Sequence, residues 1–489
     1  MKLILCNQKV YPCHNFYSIK LQKFDLIVIG AGSGLEVANA AYQHGLRVAV
    51  VEKDRMGGTC LNNGCIPSKL LIHSADIAET IKRADLFGIK VDGYAIEFEK
   101  IVQRVNSITD SDSDGIRNAF EGVDNPKLFP KECKFIGPKT ITIVGDDSQD
   151  IITAEKILIA SGARPRIPNI KGLEGTGYLT SEEALRLKKQ PHTLTIIGGG
   201  YIACELAHFF GALGTKINII QRKNVLIPNE DEEVSQKFTE IFSKKYNVYV
   251  DYETEYVSRE NEPNSSSKFH VIAKKDTSGK TLELVSDQLL IAAGRIPNSD
   301  TLDLEKTGVR VGEKGYIKTD RYLETDVNGI FALGDIIGRY LFKHNANHEA
   351  RYVANNILHP DKKVPVNYAA MPHAIFSSPQ VAGVGFTEHE LKKEGLEYQK
   401  SVYSYINTAM GHALEDRDGF VKFLADKTNG KILGCHIIGS EASILIHEVL
   451  VAMRADDNGG TIDNITKTVH IHPALSEVVA RAAAGIIRI

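Results

Sequence analysis

Residues 24–34 read FDLIVIGAGSG, a nearly continuous apolar run that ends in a cluster of glycines. Such a run predicts a buried parallel strand followed by a tight turn. Residues 37–45 continue in an Ala-rich helical pattern, and residues 47–51 (RVAVV) predict a second strand that ends at Glu52. Strand, glycine turn, helix, strand and acid occur in the order typical of a dinucleotide-binding site, although an unrelated α/β domain with a tight turn also fits.

The glycine turn supplies the physical reason for this prediction. Gly30, Gly32 and Gly34 would let the backbone approach a pyrophosphate, which sits on the following helix N-terminus. Glu52 lies about 20 positions further on, where a carboxylate that binds a ribose is expected. Leu35 replaces the last glycine of the G-x-G-x-x-G pattern, so we expect helix–strand packing to be looser or shifted.

The same pattern occurs a second time. Residues 193–197 (TLTII) predict a strand, and Gly198, Gly200 and Ala203 follow in the turn, with alanine in the permitted third place. A helix over residues 203–213 and a strand over residues 216–220 complete the unit. The sequence therefore predicts two dinucleotide sites, one of which could supply electrons to the other.

The end of the second unit bears on which nicotinamide nucleotide is bound. Gln221 and Arg222 stand where an acid would accept from the ribose 2′-hydroxyl of NAD. Arg222 could instead pair with a 2′-phosphate, which favours NADP(H), or it could be a solvated surface arginine. Residues 157–162 (ILIASG) and 289–294 (LLIAAG) also repeat, and their small residues would allow a close approach of chain or cofactor.

Composition limits the remaining functions. The chain has 489 residues, 43% hydrophobic and 24% charged residues, and a net charge of −3, which is ordinary for a multidomain globular protein. This balance gives no electrostatic sign of nucleic acid or of an anionic membrane surface. No apolar run reaches a membrane span, and seven Cys are too few for a disulfide-rich secreted protein. We therefore expect a cytoplasmic enzyme.

Two cysteines are the candidate reactive residues of this chain. Residues 57–69 read GGTCLNNGCIPSK, with Cys60 and Cys65 separated by four residues. At a helix start, an irregular turn between them could bring the sulfurs together, and the helix N-terminus and Lys69 would favour a thiolate. A redox pair, a metal site and two structural thiols all remain open, although a metal site would need further ligands that the other cysteines do not supply by spacing.

These segments, with residues 472–477 (HPALSE), resemble the flavin-dependent pyridine nucleotide–disulfide oxidoreductases over residues 23–485, nearly the whole chain. The resemblance implies that Cys65 is the sulfur next to the flavin, as a thiolate–flavin charge-transfer pair, and that Cys60 is the interchange sulfur. It implies that Lys69 pairs with Glu205 near the flavin. The implied cofactors are FAD and NAD(P)H, with NADP(H) favoured, and no metal is implied.

The resemblance also assigns cofactor contacts. The ADP half of FAD would be held by the first glycine turn and Glu52, and the ribityl chain by Asp335 in the segment GIFALGD. Further FAD contacts are implied at Gly58, Thr59, Gly137 and Gly162. The nucleotide NAD(P) would be held by Gly198, Gly200, Ala203, Gln221, Arg222 and Gly294.

The C-terminal segment supplies a base. By resemblance, His472 is the general acid/base, Glu477 orients its ring, and the histidine reaches the disulfide of a second subunit in a homodimer. Imidazole suits this work because its ordinary pKa is about 6.5. Alone, His470 and His472 would also fit a zinc site or buried histidines, and His470 is expected to be structural.

The implied architecture is α/β, with two Rossmann-like domains and a C-terminal α+β interface domain. We expect an extension over residues 1–22, an FAD domain over 23–165 and 296–365, an NAD(P) domain over 166–295 and a dimerisation domain over 366–489. In the last, residues 419–425 and 432–438 predict a hairpin and residues 442–453 a helix. Polar segments 260–268 and 455–460 predict loops.

The expected substrate is a small disulfide or dithiol. Leu35, Arg222 and the segments 341–350 (LFKHNANHEA) and 409–416 (AMGHALED) look more like a mycothione reductase, an NADPH-dependent reductase of a low-molecular-weight disulfide. CIPSK and HPALSE look like dihydrolipoamide dehydrogenase with NAD. A flavoprotein that uses the thiols as a relay to quinones or metal ions is a third possibility, and a binding protein that kept only the fold is a fourth.

Overall fold

The computed structural model describes residues 20–144, 150–260, 267–455 and 459–486. Cys6, Cys13 and nearly all of the predicted N-terminal extension lie outside the described residues, as do the central residues of the two predicted loops at 260–268 and 455–460. The chain divides into two units, one of residues 1–58, 116–162 and 297–366, the other of residues 59–115, 163–296 and 367–489.

The described helices are α1 Gly34–Gln43, α2 Gly58–Asn62, α3 Cys65–Lys82, α4 Phe98–Asn118, α5 Ser181–Ala184, α6 Tyr201–Ala212, α7 Glu232–Lys245, α8 Lys343–Leu358, α9 Glu388–Glu394, α10 Ala409–Ala413, α11 Ala442–Met453, α12 Asp463–Thr466 and α13 Glu477–Ala484. The described strands are β1 Lys20–Ile29, β2 Val48–Val51, β3 Lys127–Phe129, β4 Cys133–Gly137, β5 Thr140–Ile143, β6 Asp150–Ile159, β7 Ala163–Pro165, β8 Thr193–Ile197, β9 Lys216–Gln221, β10 Asn247–Val250, β11 Tyr252–Glu260, β12 Lys268–Lys275, β13 Thr281–Ser286, β14 Gln288–Ile291, β15 Arg295–Pro297, β16 Ile330–Ala332, β17 Pro372–Ile375, β18 Gln380–Gly385, β19 Tyr398–Ser404, β20 Phe420–Asp426 and β21 Ile432–Gly439.

The first unit is built on a seven-stranded sheet of order β3-β2-β1-β6-β5-β4, with β16 also paired to β6. β1 pairs in parallel with β2 and β6, as the apolar run predicted. Alternate residues of β1 enter different cores: Leu26 and Val28 pack with α1 and α8, whereas Ile27 and Ile29 pack with the β4–β5 side. Apolar cores therefore lie on both faces of the sheet, which explains the unbroken apolar strand.

The second unit repeats this plan and adds a further layer. Its parallel sheet has the order β10-β9-β8-β14, and a three-stranded antiparallel sheet β11-β12-β13 shares a core with it. β7 and β15 pair in a two-stranded sheet, and β17-β18-β21-β20-β19 form an antiparallel sheet covered by α11, α12 and α13. The predicted hairpin corresponds to β20 and β21, and the helix over 442–453 agrees with α11.

The α/β prediction is confirmed, and its errors lie at element ends. β1 begins at Lys20 rather than at residue 24, and α1 begins at Gly34 rather than at residue 37. α6 likewise begins at Tyr201, directly after the glycines of the second turn. In both units the helix begins inside the glycine motif, so the last residues of the motif form the first turn of the helix.

Candidate active site

The first glycine turn is closed by a backbone contact that only glycine permits. Gly30 has φ +105°, and a Cβ placed on it would lie 2.4 Å from the carbonyl oxygen of Ala160. Ala160 follows β6 and donates its N–H to Ile29 O at 2.8 Å. The small residue of the ILIASG segment therefore lies against the glycine turn, as the sequence predicted.

Two further glycines set the shape of this turn. A Cβ on Gly34 would lie 2.8 Å from Val28 Cγ1, so the close helix–strand approach occurs at Gly34. The packing is therefore shifted by one position, and Leu35 can stand in the last place of the motif. A Cβ on Gly58 would lie 2.8 Å from Gly32 Cα, so these two backbones touch. The narrow, side-chain-free turn fits a pyrophosphate group.

Glu52 follows β2 and is held beside the turn. One carboxylate oxygen accepts the N–H of Ala31 at 2.7 Å, and the other accepts the N–H of Asp54 at 2.9 Å. Each oxygen keeps a lone pair for a further donor. A ribose hydroxyl near the turn could therefore donate to Glu52 without displacing either bond.

The other predicted FAD contacts lie in several elements. Asp335 is half-buried in a 3₁₀ turn over Gly334–Ile336. Gly162 has φ +66° and accepts the N–H of Asn298 at 3.1 Å. Gly137 ends β4 in the β4–β5 hairpin, and apart from its two chain neighbours no described residue lies within 4 Å of a Cβ built on it. Thr59 is exposed on α2. The structure gives Gly137 no contact that requires glycine.

The second glycine turn repeats two backbone contacts of the first. Gly198 has φ +121°, and a Cβ on it would lie 2.2 Å from Ala292 O. Gly198 donates its N–H to Ile220 O at 2.9 Å, as Gly30 donates to Val51 O at 2.8 Å. The internal repeat is therefore a repeat of backbone contacts. Gly200 precedes α6, Ala203 is buried, and Gly294 has φ +109° with open space around it.

Gln221 and Arg222 differ in their surroundings. Gln221 is buried, its side chain lies beneath Gly199, and its Nε2 donates to Val225 O at 3.2 Å. Arg222 is exposed. The Gln221 side chain therefore packs against the glycine turn. Arg222, at the end of β9, is the side chain that is accessible to a ligand.

Cys60 and Cys65 lie on consecutive short and long helices. Cys60 is half-buried on α2, and Cys65 is exposed as the first residue of α3. Gly64 stands between them, and a Cβ there would lie 2.9 Å from Thr59 O. This absence of a side chain lets the end of α2 lie against the start of α3, which brings the two sulfurs within hydrogen-bonding reach.

The Cys65 thiol is activated by this arrangement. A hydrogen bond from Cys60 lowers the pKa of Cys65, burial raises it, and the Lys69 ammonium lowers it further, so that it falls from 9.0 to about 7. Lys69 stands one helical turn after Cys65, on the same face of α3. A substantial thiolate fraction at neutral pH is what nucleophilic attack on a disulfide requires.

Lys69 is held by a buried carboxylate. Its Nζ lies 2.8 Å from both carboxylate oxygens of Glu205, which is buried on α6. Glu205 also accepts the N–H of Phe376 at 3.0 Å, and the Lys69 ammonium lies 4.7 Å from the Phe376 ring centroid. Sequence reasoning missed Phe376, because a main-chain donor 171 positions away carries no sequence signal.

The packing of α3 on α6 sets this pair. Leu71 and Ala75 of α3 share a core with Phe209 of α6. Asp76 Oδ1 lies 2.7 Å from Nε2 of His208, a fully buried side chain. This second contact between the helices fixes their register, so Lys69 is directed to Glu205.

His472 and Glu477 lie together, as the family resemblance implied. His472 Nδ1 lies 3.0 Å from Glu477 Oε1, and Glu477 also accepts the N–H of Ala474 at 3.3 Å. The hydrogen bond to His472 lowers the pKa of Glu477 below its usual range. The His472 side chain is 75% exposed. His470 instead pairs with Glu448, which suits a structural role.

The other described cysteines are of a different kind. Cys133, Cys204 and Cys435 are buried, and burial raises the pKa of each thiol, for Cys133 to about 12. Among the described residues no group of three or more His, Cys, Asp or Glu side chains could hold a metal ion. No described helix has the length and apolar character of a membrane span. Cys60 and Cys65 are therefore more accessible to solvent than the other three described cysteines.

Two dinucleotide-type glycine turns and an activated cysteine pair define a nucleotide-dependent thiol–disulfide oxidoreductase. Residues 24–350 match the pyridine nucleotide-disulphide oxidoreductase family, and residues 371–483 match its dimerisation domain. The chain belongs to this family, whose members use FAD and NAD(P)H, and is an oxidoreductase that acts on sulfur groups.

Individual relatives span nearly the whole chain. Mycothione reductase of Mycobacterium tuberculosis is 34% identical over 95% of this chain and 100% of its own length. Dihydrolipoyl dehydrogenase of Bacillus subtilis is 33% identical over 94% of this chain and 95% of its own. The solved HOCl-induced flavoprotein disulfide reductase RclA from Escherichia coli, as a Cu(II) complex, superposes with a TM-score of 0.82 at 26% identity, covering 95% of this chain and 99% of RclA.

Proposed function

We propose that this chain is a FAD-dependent reductase that passes two electrons from NAD(P)H to a small disulfide through Cys60 and Cys65. The main observation in support of this proposal is the lowered pKa of Cys65, which lies beside Cys60 and Lys69 at the start of α3. None of the buried cysteines has this environment. When bound, FAD accepts hydride from NAD(P)H and delivers two electrons to the cysteine pair.

The thiol steps follow from the proposed roles of the two cysteines. The proposed base His472 takes the proton of the Cys60 thiol, and the Cys60 sulfur attacks one sulfur of the substrate disulfide, so that a mixed disulfide forms and one substrate thiolate leaves. The Cys65 thiolate then attacks Cys60 Sγ, releases the second substrate fragment as a thiolate that takes a proton from solvent, and closes the Cys60–Cys65 disulfide. Each turnover consumes one NAD(P)H and one proton and reduces one disulfide to two thiols.

His472 is proposed to protonate the leaving thiolate, with Glu477 holding its ring. The exposure of His472 and of its neighbours Val469 (95%) and Ile471 (78%) supports a role toward a second copy of the chain. We therefore propose a homodimer in which His472 serves the cysteine pair of the partner subunit, in line with the dimerisation-domain match.

The proposed domains follow the sequence prediction, with FAD held by residues 23–165 and 296–365, NAD(P) by 166–295 and the dimer contact by 366–489. A thiol pair that must return to the reduced state suits a reducing compartment. We therefore propose the cytoplasm as the place of action.

The proposed substrate is a low-molecular-weight disulfide with NADPH as the reductant, as in a mycothione reductase. The exposed Arg222 at the end of β9, in place of an acid, supports NADPH. The alternative is a dihydrolipoyl dehydrogenase with NAD, which would run the thiol steps in reverse, and relatives of both kinds have nearly equal identity.

A second candidate is a thiol relay that reduces a metal ion. It is favoured by one observation, that the solved RclA structure is described as a Cu(II) complex. Such a relay needs no proton for a leaving thiol. His472→Ala would then leave turnover nearly unchanged, whereas it should strongly impair disulfide reduction.

The decisive experiment compares Cys60→Ser with Cys133→Ala, a change at a buried thiol. Purified protein should contain flavin, and NADPH oxidation should be followed with mycothiol disulfide, glutathione disulfide, lipoamide and Cu(II). We expect Cys60→Ser to abolish disulfide turnover and Cys133→Ala to retain it. Turnover of any disulfide by Cys60→Ser, or absence of flavin, would contradict the proposal.

A further inference from the structure

Lys343 is a cation placed at the first glycine turn. It is the first residue of α8, it is half-buried, and its Nζ lies 2.9 Å from Ser33 Oγ. Ser33 is the residue between Gly32 and Gly34. The ammonium of a residue 310 positions away is therefore held beside the turn that fits a pyrophosphate.

A second residue of α8 fixes this contact. Ser33 Oγ donates its hydrogen to Asn347 Oδ1 at 2.8 Å, and Asn347 stands one helical turn after Lys343. The hydroxyl is therefore committed to Asn347 as donor and to Lys343 as acceptor. The ammonium has three donors and uses one on Ser33, which leaves two for another acceptor.

The packing of α8 against α1 sets the position of Lys343. Ala346 and Ala350 of α8 share a core with Val37 and Ala38 of α1. These small side chains allow the two helices to lie close together, so Lys343 and Asn347 reach Ser33 from a fixed helix. The Lys343 ammonium is therefore directed at the turn.

The charges around Lys343 and Ser33 favour the binding of an anion. Ser33 precedes α1 and Phe342 precedes α8, and neither residue caps its helix with a side chain. Both helix starts carry partial positive charge. Among the residues that the structure describes, no carboxylate forms an ion pair with Lys343. The Lys343 ammonium and the two helix starts therefore make the local potential positive, which favours binding of a negative group.

We propose that Lys343 binds the pyrophosphate of FAD directly and supplies a positive charge that the glycine turn lacks. The proposal rests on the flavin dependence given above. The chemistry fits, because a diphosphate carries negative charge and accepts hydrogen bonds from both an ammonium and main-chain N–H groups.

The test measures FAD release from the purified full-length holoprotein by the recovery of flavin fluorescence on dilution. Lys343→Gln should raise the Kd for FAD about tenfold, a cost of ~1.4 kcal/mol. Lys343→Arg keeps the charge and should remain near wild type. Lys318→Gln, at an exposed lysine of the same unit, is the matched control and should not change the Kd. High salt should weaken FAD binding more in the wild type than in Lys343→Gln.

Failure of the proposed function and failure of the Lys343 role give different results in this test. Wild-type protein that binds no FAD would overturn both this inference and the proposed function. Flavin-containing wild type with a Lys343→Gln variant of equal Kd and equal salt dependence would overturn the role of Lys343 alone. An equal loss of affinity in Lys343→Arg and Lys343→Gln would show that side-chain shape, and not charge, matters there, which also refutes the proposal.

Discussion

Lys422 and Asp231 form a completely buried ion pair, with 2.7 Å between Nζ and Oδ1 and no exposed side-chain surface on either residue. Lys422 Nζ also lies 2.7 Å from Glu388 Oε2, and Asp231 accepts the N–H of Glu388 at 3.0 Å. Lys422 lies on β20 and Asp231 precedes α7. The pair therefore joins the antiparallel sheet to the segment that follows the second glycine unit.

Removal of one partner from this pair should be costly. Lys422→Met leaves Asp231 buried without its cation, and we expect a loss of about 3–5 kcal/mol in the free energy of unfolding. The double variant Lys422→Met with Asp231→Asn should recover part of this loss, because the fully buried Asp231 charge is removed together with its cation. Denaturant unfolding of the four proteins measures both values. Additive losses in the double variant would contradict the ion-pair account.

The same pair predicts acid sensitivity. Burial acts to raise the pKa of Asp231, but the nearby His436 ring, the hydrogen bond from Lys422 and the hydrogen bond from the Glu388 N–H together bring it below 3.8. A carboxyl with a lowered pKa in the folded chain stabilises the fold above pH 3.8 and loses this effect as pH falls toward the folded value. The stability difference between wild type and Asp231→Asn should therefore shrink as pH falls below 3.8, in unfolding titrations at several pH values. A stability difference that does not change with pH would refute this role of Asp231.

Thiol reactivity should follow the pKa of Cys65. Because the thiolate is the reactive form, the rate of alkylation at Cys65 should rise with pH about a midpoint near 7, and not near 9. Mass spectrometry after brief iodoacetamide treatment of the dithionite-reduced protein locates the label. Cys133, with its pKa of about 12, serves as the internal control and should remain unlabelled in the folded protein.

Lys69 and Glu205 should move that midpoint in opposite directions. The Lys69 ammonium lowers the pKa of Cys65 and the Glu205 carboxylate raises it. Lys69→Met should therefore shift the alkylation midpoint to higher pH, and Glu205→Gln should shift it to lower pH. Shifts of the same sign in both variants would mean that packing changes, and not the two charges, control the thiol.

The sequence predicted the contacts that depend on local pattern. Gly30 and Gly198 stand at the ends of apolar strands, and the small residues Ala160 and Ala292 end their neighbours, so both turns could be inferred from spacing and residue size. The approach at Gly34 was anticipated only as packing that is looser or shifted, because sequence alone does not show which glycine meets Val28.

The long-range contacts could not be predicted in the same way. Lys422 and Asp231 are 191 positions apart, and charged residues of this kind usually lie on the surface. The Phe376 N–H that binds Glu205 is a main-chain group, and it has no residue type to indicate it. Lys69 and Glu205 were paired only through the family resemblance, since nothing in their spacing brings α3 and α6 together.

Nucleotide preference should depend on Arg222. This side chain is exposed at the end of β9, while Gln221 is buried beneath the turn. A charged hydrogen bond to a 2′-phosphate contributes about 1.5–3 kcal/mol, so Arg222→Gln should raise the KM for NADPH about 10–100-fold and leave that for NADH nearly unchanged. Lys216→Gln, at the opposite end of the same strand, is the control. If Arg222→Gln raises the two KM values equally, Arg222 holds a group that both nucleotides share and does not select NADPH.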